Sequence, residues 1–305
     1  MRKRLSIIIV NYNVKESVLD CLESIYASLP YGVFEIVVVD NNSQDGSPKE
    51  IEKNFPEVEL IANQENRGFA AACNQGIKTS KANYILLLNP DAVVNKSMIE
   101  MLHYMERNEK TGILGCKILN PDGSIQKTAF PPYSFLNDVI SIPVFPWLWL
   151  LRRQNRQVNR QCATSLEPFE VGWVSGACLM TKQQIIQDVG LLDERFFLGG
   201  EDVDWCRRTA KRGWKVIYFP GTQIVHVSEE SKRKELALKI RHHYQARIHF
   251  AEKYYGTRRL GLIKLISLTE LLAKGIIVRL KPRVKGSQKK ERLKGYRQAI
   301  GVLLK

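Results

Sequence analysis

Leu5-Ser-Ile-Ile-Ile-Val10 is a nearly unbroken run of branched apolar residues, and it stops at Asn11-Tyr-Asn13. A strand with one wet face alternates apolar and polar residues, so a run of this kind fits a strand buried on both faces of a mostly parallel sheet. Phe34-Glu-Ile-Val-Val-Val39 repeats the pattern, and Val58-Glu-Leu-Ile61 and Tyr84-Ile-Leu-Leu-Leu88 follow it. Between these segments, over roughly 15–29, 46–54, 68–79 and 95–108, the apolar spacing is helical. The first 120 residues therefore read β-α-β-α-β-α-β-α, which predicts a doubly wound α/β sheet.

In that architecture ligands bind outside the carboxyl ends of the strands. Polar residues collect at those ends: Asn11-Tyr-Asn13, Asp40-Asn-Asn-Ser43 and Asn89-Pro-Asp91. Asn, Asp and Pro end strands in any protein because they form turns. Three strands ending this way on one rim predict a site.

The chain has 305 residues, 44% of them hydrophobic, enough for one larger or two closely joined domains. Its net charge of +15 is unevenly placed. From Lys232 onward there are 21 Lys and Arg against 4 Asp and Glu, which leaves residues 1–231 at −2. A basic stripe suits nucleic acid, and it suits equally an anionic cytoplasmic leaflet, where each Lys or Arg contributes about 1 kcal/mol. Cys21, Cys73, Cys116, Cys162, Cys178 and Cys206 form no CxxC pair and no zinc-finger spacing, so they are expected to be reduced and mostly buried in a cytoplasmic protein. After Met1-Arg-Lys-Arg only about six apolar residues precede Asn11, too few for a signal-peptide core or a membrane span.

The middle is less regular. Phe130-Pro-Pro-Tyr133 and Ile142-Pro-Val-Phe-Pro-Trp-Leu-Trp-Leu-Leu151, followed by Arg152 and Arg153, are too short and broken to span a bilayer. A membrane-interface role and core packing both remain open for them. A polar stretch over 152–168 leads into Val171–Met180, expected to be a strand returning to the sheet. Residues 232–254 and 260–280 read as long helices. Lys264, Glu270 and Lys274 argue against a span, and Ser267, Glu270, Lys274 and Lys281 share one helical face. That pattern fits an in-plane amphipathic anchor or a helix packed on the rest of the protein.

Five motifs carry a resemblance: Ser6-Ile-Ile-Ile-Val-Asn-Tyr-Asn13, Val39-Asp-Asn-Asn-Ser-Gln-Asp-Gly46, Asn66-Arg-Gly-Phe-Ala-Ala-Ala-Cys-Asn74, Asn89-Pro-Asp91 and Gly200-Glu-Asp-Val-Asp204. They resemble family 2 glycosyltransferases of the GT-A fold, and within them bacterial rhamnosyltransferase-type enzymes of surface polysaccharide assembly. The match runs in order over roughly residues 4–230. It implies a catalytic domain at 1–230, with the nucleotide sugar held by about 1–120 and the acceptor and catalytic groups on about 121–230. Residues 231–305 would then be a basic helical extension, a candidate peripheral anchor on the inner face of the plasma membrane.

The same resemblance assigns roles that the chemistry supports. Asp40 would accept a hydrogen bond from a uracil or thymine N–H or a ribose hydroxyl, with Asn11 and the backbone at Val10 completing the nucleotide pocket. Arg67-Gly68 opens a helix, and a helix N-terminus beside a cation suits a diphosphate, which Asn74 would also reach. The departing diphosphate calls for a divalent cation, Mn²⁺ or Mg²⁺, on hard oxygen ligands. Asn89-Pro-Asp91 stands where the family has Asp-x-Asp, so Asp91 would be the ligand and Asn89 at most a weak oxygen donor or a ribose contact. His226 matches the family's distal histidine at the metal or diphosphate. Acidic residues also open helices for capping and dipole reasons alone. The resemblance nevertheless makes Asp202 the base that takes the acceptor's proton, with Glu201 binding or orienting the acceptor. Trp173, Ser175 and Gly176 match the acceptor side, with Phe196 and Phe197 as cleft walls.

No Gln-x-x-Arg-Trp follows the acidic motif, so one sugar per encounter is expected. The first expectation is inverting transfer of rhamnose from dTDP-rhamnose to a lipid-linked or polysaccharide acceptor. A sugar-nucleotide nucleotidyltransferase would carry a glycine-rich loop where this chain has Asn11-Tyr-Asn-Val-Lys15. A nucleic-acid-binding protein would rest on the tail charge alone.

Overall fold

The computed structural model describes residues 3–135, 153–227, 236–280 and 286–304. The chain runs through β1 (Leu5–Asn11), α1 (Lys15–Ser28), β2 (Phe34–Asp40), α2 (Ser47–Asn54), β3 (Glu59–Ala62), α3 (Phe69–Thr79) and β4 (Tyr84–Leu88). It continues with β5 (Ala92–Val93), α4 (Met98–Arg107), β6 (Thr111–Leu119), β7 (Ala129–Phe130), α5 (Arg153–Thr164), β8 (Phe169–Glu170), β9 (Trp173–Val174) and β10 (Cys178–Lys182). Then come α6 (Gln183–Val189), α7 (Glu201–Lys211), β11 (Lys215–His226), α8 (Leu236–Tyr254), α9 (Gly256–Leu280) and α10 (Gly286–Leu303).

The main sheet has the order β3-β2-β1-β4-β10-β6-β11-β5, with β8 added on β11. β1 pairs in parallel with both β2 and β4, whereas β10 is antiparallel to its neighbours β4 and β6. All seven residues of β1 are buried, as its composition requires. Leu5, Ile7 and Ile9 pack with α1 and α4 on one face, while Ile8 and Val10 pack with α3 and α7 on the other. The strand order reverses between β1 and β4, and at such a switch point the loops leaving the two strands diverge and open a crevice.

The expected strand over Val171–Met180 is two strands. β9 pairs with β7 in a small separate sheet, and only β10 joins the main one. The break falls at Ser175-Gly176-Ala177, where Ser175 N–H bonds to the Thr128 carbonyl and Gly176 N–H to the Asp202 carboxylate. These two bonds draw the backbone out of the ladder. The aromatic stretch over 142–152 lies outside the described residues.

The three C-terminal helices share a core of their own, built on Tyr244, Ile248, Ile263, Leu271 and Leu303. α8 also packs on the rest of the protein, through Ala246 and Phe250 against Phe196 and Val203. Asp204, fully buried on α7, receives Tyr254 Oη at 2.6 Å, Lys253 Nζ at 2.6 Å and Arg208 Nε at 2.7 Å. α9 is oriented opposite to the simplest expectation for an amphipathic helix. Ser267 and Glu270 are buried, with Glu270 paired to Arg247 of α8 at 3.2 Å and to Lys274 at 2.6 Å. The outward face carries Leu262, Leu265, Leu272, Ile276 and Leu280. Arg247 explains this: with its guanidinium on α8, the polar stripe of α9 finds its partner inside.

Candidate active site

A cleft of about 490 Å³ opens at the switch point. Val10, Tyr12 and Asn13 line it from the end of β1, and Asn89, Pro90 and Asp91 from the end of β4. The rim is fixed by local turn chemistry. Asn13 has φ +54°, a left-handed conformation that asparagine tolerates better than most residues, and its Oδ1 accepts the Gln44 N–H at 2.8 Å. Asp45, also in the cleft wall, accepts the Lys15 N–H at the start of α1 and the Ser47 N–H at the start of α2.

Asn89, Asp91 and His226 meet at one point. His226 Nε2 lies 2.9 Å from Asp91 Oδ1 and 3.1 Å from Asn89 Nδ2. β11 brings the histidine there by pairing with β5, which places His226 opposite Ala92. The far ring nitrogen, Nδ1, lies 3.0 Å from Gln126 Oε1, a residue that the motifs did not single out. Among the described residues no group of three or more His, Cys, Asp or Glu is arranged to hold a metal ion. Asp91 and His226 are thus a pair of hard and borderline ligands. This suits Mn²⁺ or Mg²⁺, which take one or two protein ligands and complete their shell with substrate phosphates and water.

Asp202 and Glu201 open α7 after two left-handed glycines, Gly199 at φ +83° and Gly200 at φ +93°. Asp202 Oδ2 accepts the Gly176 N–H at 3.0 Å and Oδ1 the Val203 N–H at 2.8 Å. The next residue, Ala177, just before β10, gives its carbonyl to the Asn89 N–H at 3.0 Å. Gly176 therefore ties the acidic helix to the Asn89-Pro-Asp91 turn, with Phe69 of the cleft wall beside it. Burial raises the Asp202 carboxyl above its usual range, although the N–H groups of Gly176 and Val203 hold it down in part. Burial, and then the charge of Asp202, push Glu201 up to about 8. Glu201 Oε2 is buried and makes no hydrogen bond. Such a pair can hold one proton between two carboxyls, the condition in which one acts as a base near neutrality.

Several expected donor contacts are arranged differently. Asp40 and Asn11 lie behind the wall rather than in it. Asp40 Oδ2 takes Asn11 Nδ2 at 2.6 Å and Oδ1 takes the Ser43 N–H at 2.8 Å, so the pair joins β1 to β2 while the next residue, Asn41, faces the cleft. Asn74 spends its amide on the loop before α7, with Nδ2 on the Leu192 carbonyl and Glu194 and Oδ1 on the Leu192 N–H. At the N-terminus of α3 the Gly68 N–H goes to Asn66 Oδ1 and the Phe69 N–H to the Phe197 carbonyl, so two donors expected to face a diphosphate are used within the chain. Gly68 is needed there. Its φ is +82°, and a Cβ would stand 2.7 Å from the Phe197 carbonyl oxygen. Arg67 is exposed beside this turn.

On the acceptor side Phe197 lines the cleft and stacks on His242 of α8, with centroids 4.4 Å apart. Phe196 is buried behind it. Trp173 stacks on Phe130 at 3.9 Å and does not line the cleft. Leu238, Lys239 and His242 of α8 complete the wall. Periodicity shows that a helix has a buried face but not what it is buried against, which is why these residues were not legible as site residues.

A doubly wound sheet with a polar crevice at its switch point, Asp91 in the crevice wall paired to His226, and an acidic helix tied to the same turn through Gly176 has the parts of an α/β enzyme site. Residues 6–168 match the family described as glycosyl transferase family 2, and residues 138–284 match glycosyl transferase family group 2. The chain belongs to glycosyl transferase family 2 and is a glycosyltransferase. It is similar to the N-acetylglucosaminyl-diphospho-decaprenol L-rhamnosyltransferase of Mycobacterium tuberculosis, 29% identical over 265 residues that cover 79% of this chain and 83% of that protein. It is also similar to the dTDP-rhamnosyl transferase RfbF of Shigella flexneri, 24% identical over 86% of this chain and 80% of that protein. The mannosyltransferase PcManGT from Pyrobaculum calidifontis, solved with GDP-Man and Mn²⁺, shares the fold with a TM-score of 0.59 at 16% identity, over 99% of this chain and 87% of that one. The fold is GT-A, as the sequence motifs implied. The family assignment does not favour the nucleotidyltransferase and nucleic-acid-binding readings.

Proposed function

We propose that the protein transfers one sugar per encounter, with inversion, from a nucleoside diphosphate to a hydroxyl of a lipid-linked acceptor. The observation that supports this reading is the chain of hydrogen bonds from Asp202 through Gly176 and Ala177 to Asn89, which joins the candidate base to the turn that carries Asp91. Asp202 takes the proton from the acceptor hydroxyl as its oxygen attacks the anomeric carbon and the bond to the diphosphate breaks. Glu201 holds the one proton of the carboxyl pair, which leaves Asp202 ionised and able to act as the base. Asp91 and His226 would hold the divalent cation, which supplies positive charge against the departing diphosphate. Val10, Asn41 and Gly68 border the donor, with Asp40 and Asn11 fixing that border from behind. Phe197, Ser175 and Gly176 border the acceptor.

Rhamnose from dTDP-rhamnose is the proposed transfer, on the strength of the names of the Mycobacterium and Shigella relatives. The catalytic domain extends to about residue 230, with α8 closing one wall of its cleft, and the helical extension beyond serves through α9 as a peripheral membrane attachment on the cytoplasmic side. No helix of the described residues is long and apolar enough to cross a membrane. The outward leucine and isoleucine face of α9, beside Arg258, Arg259, Lys264 and Arg279, suits the boundary between acyl chains and anionic headgroups. A panel of dTDP-, UDP- and GDP-sugars, assayed with Mn²⁺ and a polyprenyl-diphosphate-linked acceptor, tests the function. Transfer confined to dTDP-rhamnose is expected, and failure of every donor to yield a glycosylated lipid would overturn it.

A further inference from the structure

We infer that Gln126 is a positioning residue, which holds the His226 ring with a proton on Nδ1 and so turns Nε2 toward Asp91. This rests on the proposal that Asp91 and His226 hold a divalent cation. The argument needs only the surroundings of one amide. Gln126 Nε2 lies 2.8 Å from the backbone carbonyl oxygen of His226 and 2.8 Å from Asn120 Oδ1. A backbone carbonyl can only accept, so the Gln126 atom facing it must be the NH₂ group. The other amide atom, 3.0 Å from His226 Nδ1, is then the carbonyl oxygen, and Nδ1 must donate to it.

With Nδ1–H engaged, Nε2 is the ring atom that faces Asp91 Oδ1, at 2.9 Å, a separation at which an Nε2–H donates to the carboxylate and a bare Nε2 can share a cation with it. Asn89 Nδ2 lies 3.1 Å from the same nitrogen. Metal-bound histidines characteristically donate their second N–H to a fixed acceptor, and removing that acceptor lowers metal affinity about 10–100-fold. Gln126 is itself fixed, because Asn120 donates onward to Ser124 Oγ at 2.8 Å within the turn from Asn120 to Gln126.

Histidine ¹⁵N spectra of the full-length protein read the ring directly, without activity or metal. The parent protein is expected to show His226 protonated at Nδ1, and a bare Nδ1 would overturn the proposal outright. Gln126→Met keeps the length and removes the acceptor. It is expected to mix the tautomers and weaken Mn²⁺ binding about 10–100-fold, read by electron paramagnetic resonance with Mn²⁺ alone. Asn120→Ala, a milder change that leaves Gln126 in place, is expected to shift both readouts in the same direction by less. A parent-like tautomer together with parent-like Mn²⁺ affinity in Gln126→Met contradicts the role. Parent-like Mn²⁺ affinity in Asp91→Ala would instead remove the metal reading, while the tautomer result stands alone.

Discussion

Asp202 Oδ2 accepts the backbone N–H of Gly176 at 3.0 Å, and this bond ties the acidic helix to the turn between β9 and β10. It holds the carboxylate in place while leaving a lone pair on each oxygen for a substrate proton.

Asp202→Asn removes the basic oxygen but retains an oxygen that can take the Gly176 N–H. Donor binding, measured by titration calorimetry, is expected to stay within about twofold, while turnover falls roughly 10²–10⁴-fold. Near-parent turnover would exclude Asp202 as the base.

Glu201 gives the protein a stability profile with a definite sign. Its folded carboxyl titrates at about 8, above the ordinary value of 4.5, so the folded state binds the proton more tightly than the unfolded chain. The stabilisation is complete below about pH 4.5 and is lost as pH rises through about 8. The melting temperature of the parent is expected to fall across this window, and that of Glu201→Gln to fall less. Parallel profiles would contradict the assignment.

Sequence reading reached the fold from β1, β2 and β4, because burial on both faces of a strand leaves an unmistakable run of branched residues. It singled out Asp91, His226 and Asp202 because their motifs are local; the structure pairs Asp91 with His226 and ties Asp202 to Asn89 through Gly176 and Ala177. Gln126 could not be found in that way. Its role comes from a carbonyl 100 residues away in sequence, and nothing in Ile125-Gln126-Lys127 signals it. The uses of Asp40 and Asn74 within the chain were equally hidden, since an asparagine looks the same whether its amide meets a ligand or a neighbouring loop.

Asp204 illustrates the same point on α7. It stands two residues after the candidate base, yet its carboxylate holds α8 through Tyr254 and Lys253. Asp204→Ala is expected to cost about 3 kcal/mol, the lower end for a broken buried pair. Arg208 keeps the Val189 and Leu191 carbonyls, and Lys253 keeps Asp193. Chemical denaturation measures the loss, and a change under about 1 kcal/mol would refute the tie between the helices.

The outward face of α9 is tested without disturbing the core that α8, α9 and α10 share. Leu265, Leu272 and Ile276 are 59%, 52% and 55% exposed, so their joint replacement by serine should leave folding intact. Binding to vesicles of anionic phospholipid, measured by co-sedimentation, is expected to weaken at least about tenfold, since each side chain can contribute about 1.5–3 kcal/mol when fully inserted. Unchanged vesicle binding would discard the membrane role of this face.

The central claim is that Asp91, His226 and Asp202 border one reaction centre. Anomalous scattering from Mn²⁺ in crystals grown with dTDP measures this most directly. A single manganese peak bonded to Asp91 and His226 Nε2, with the diphosphate on its far side and Asp202 facing the same cleft, is the predicted result. A manganese site away from that pair, or a nucleotide bound elsewhere on the protein, would contradict the account.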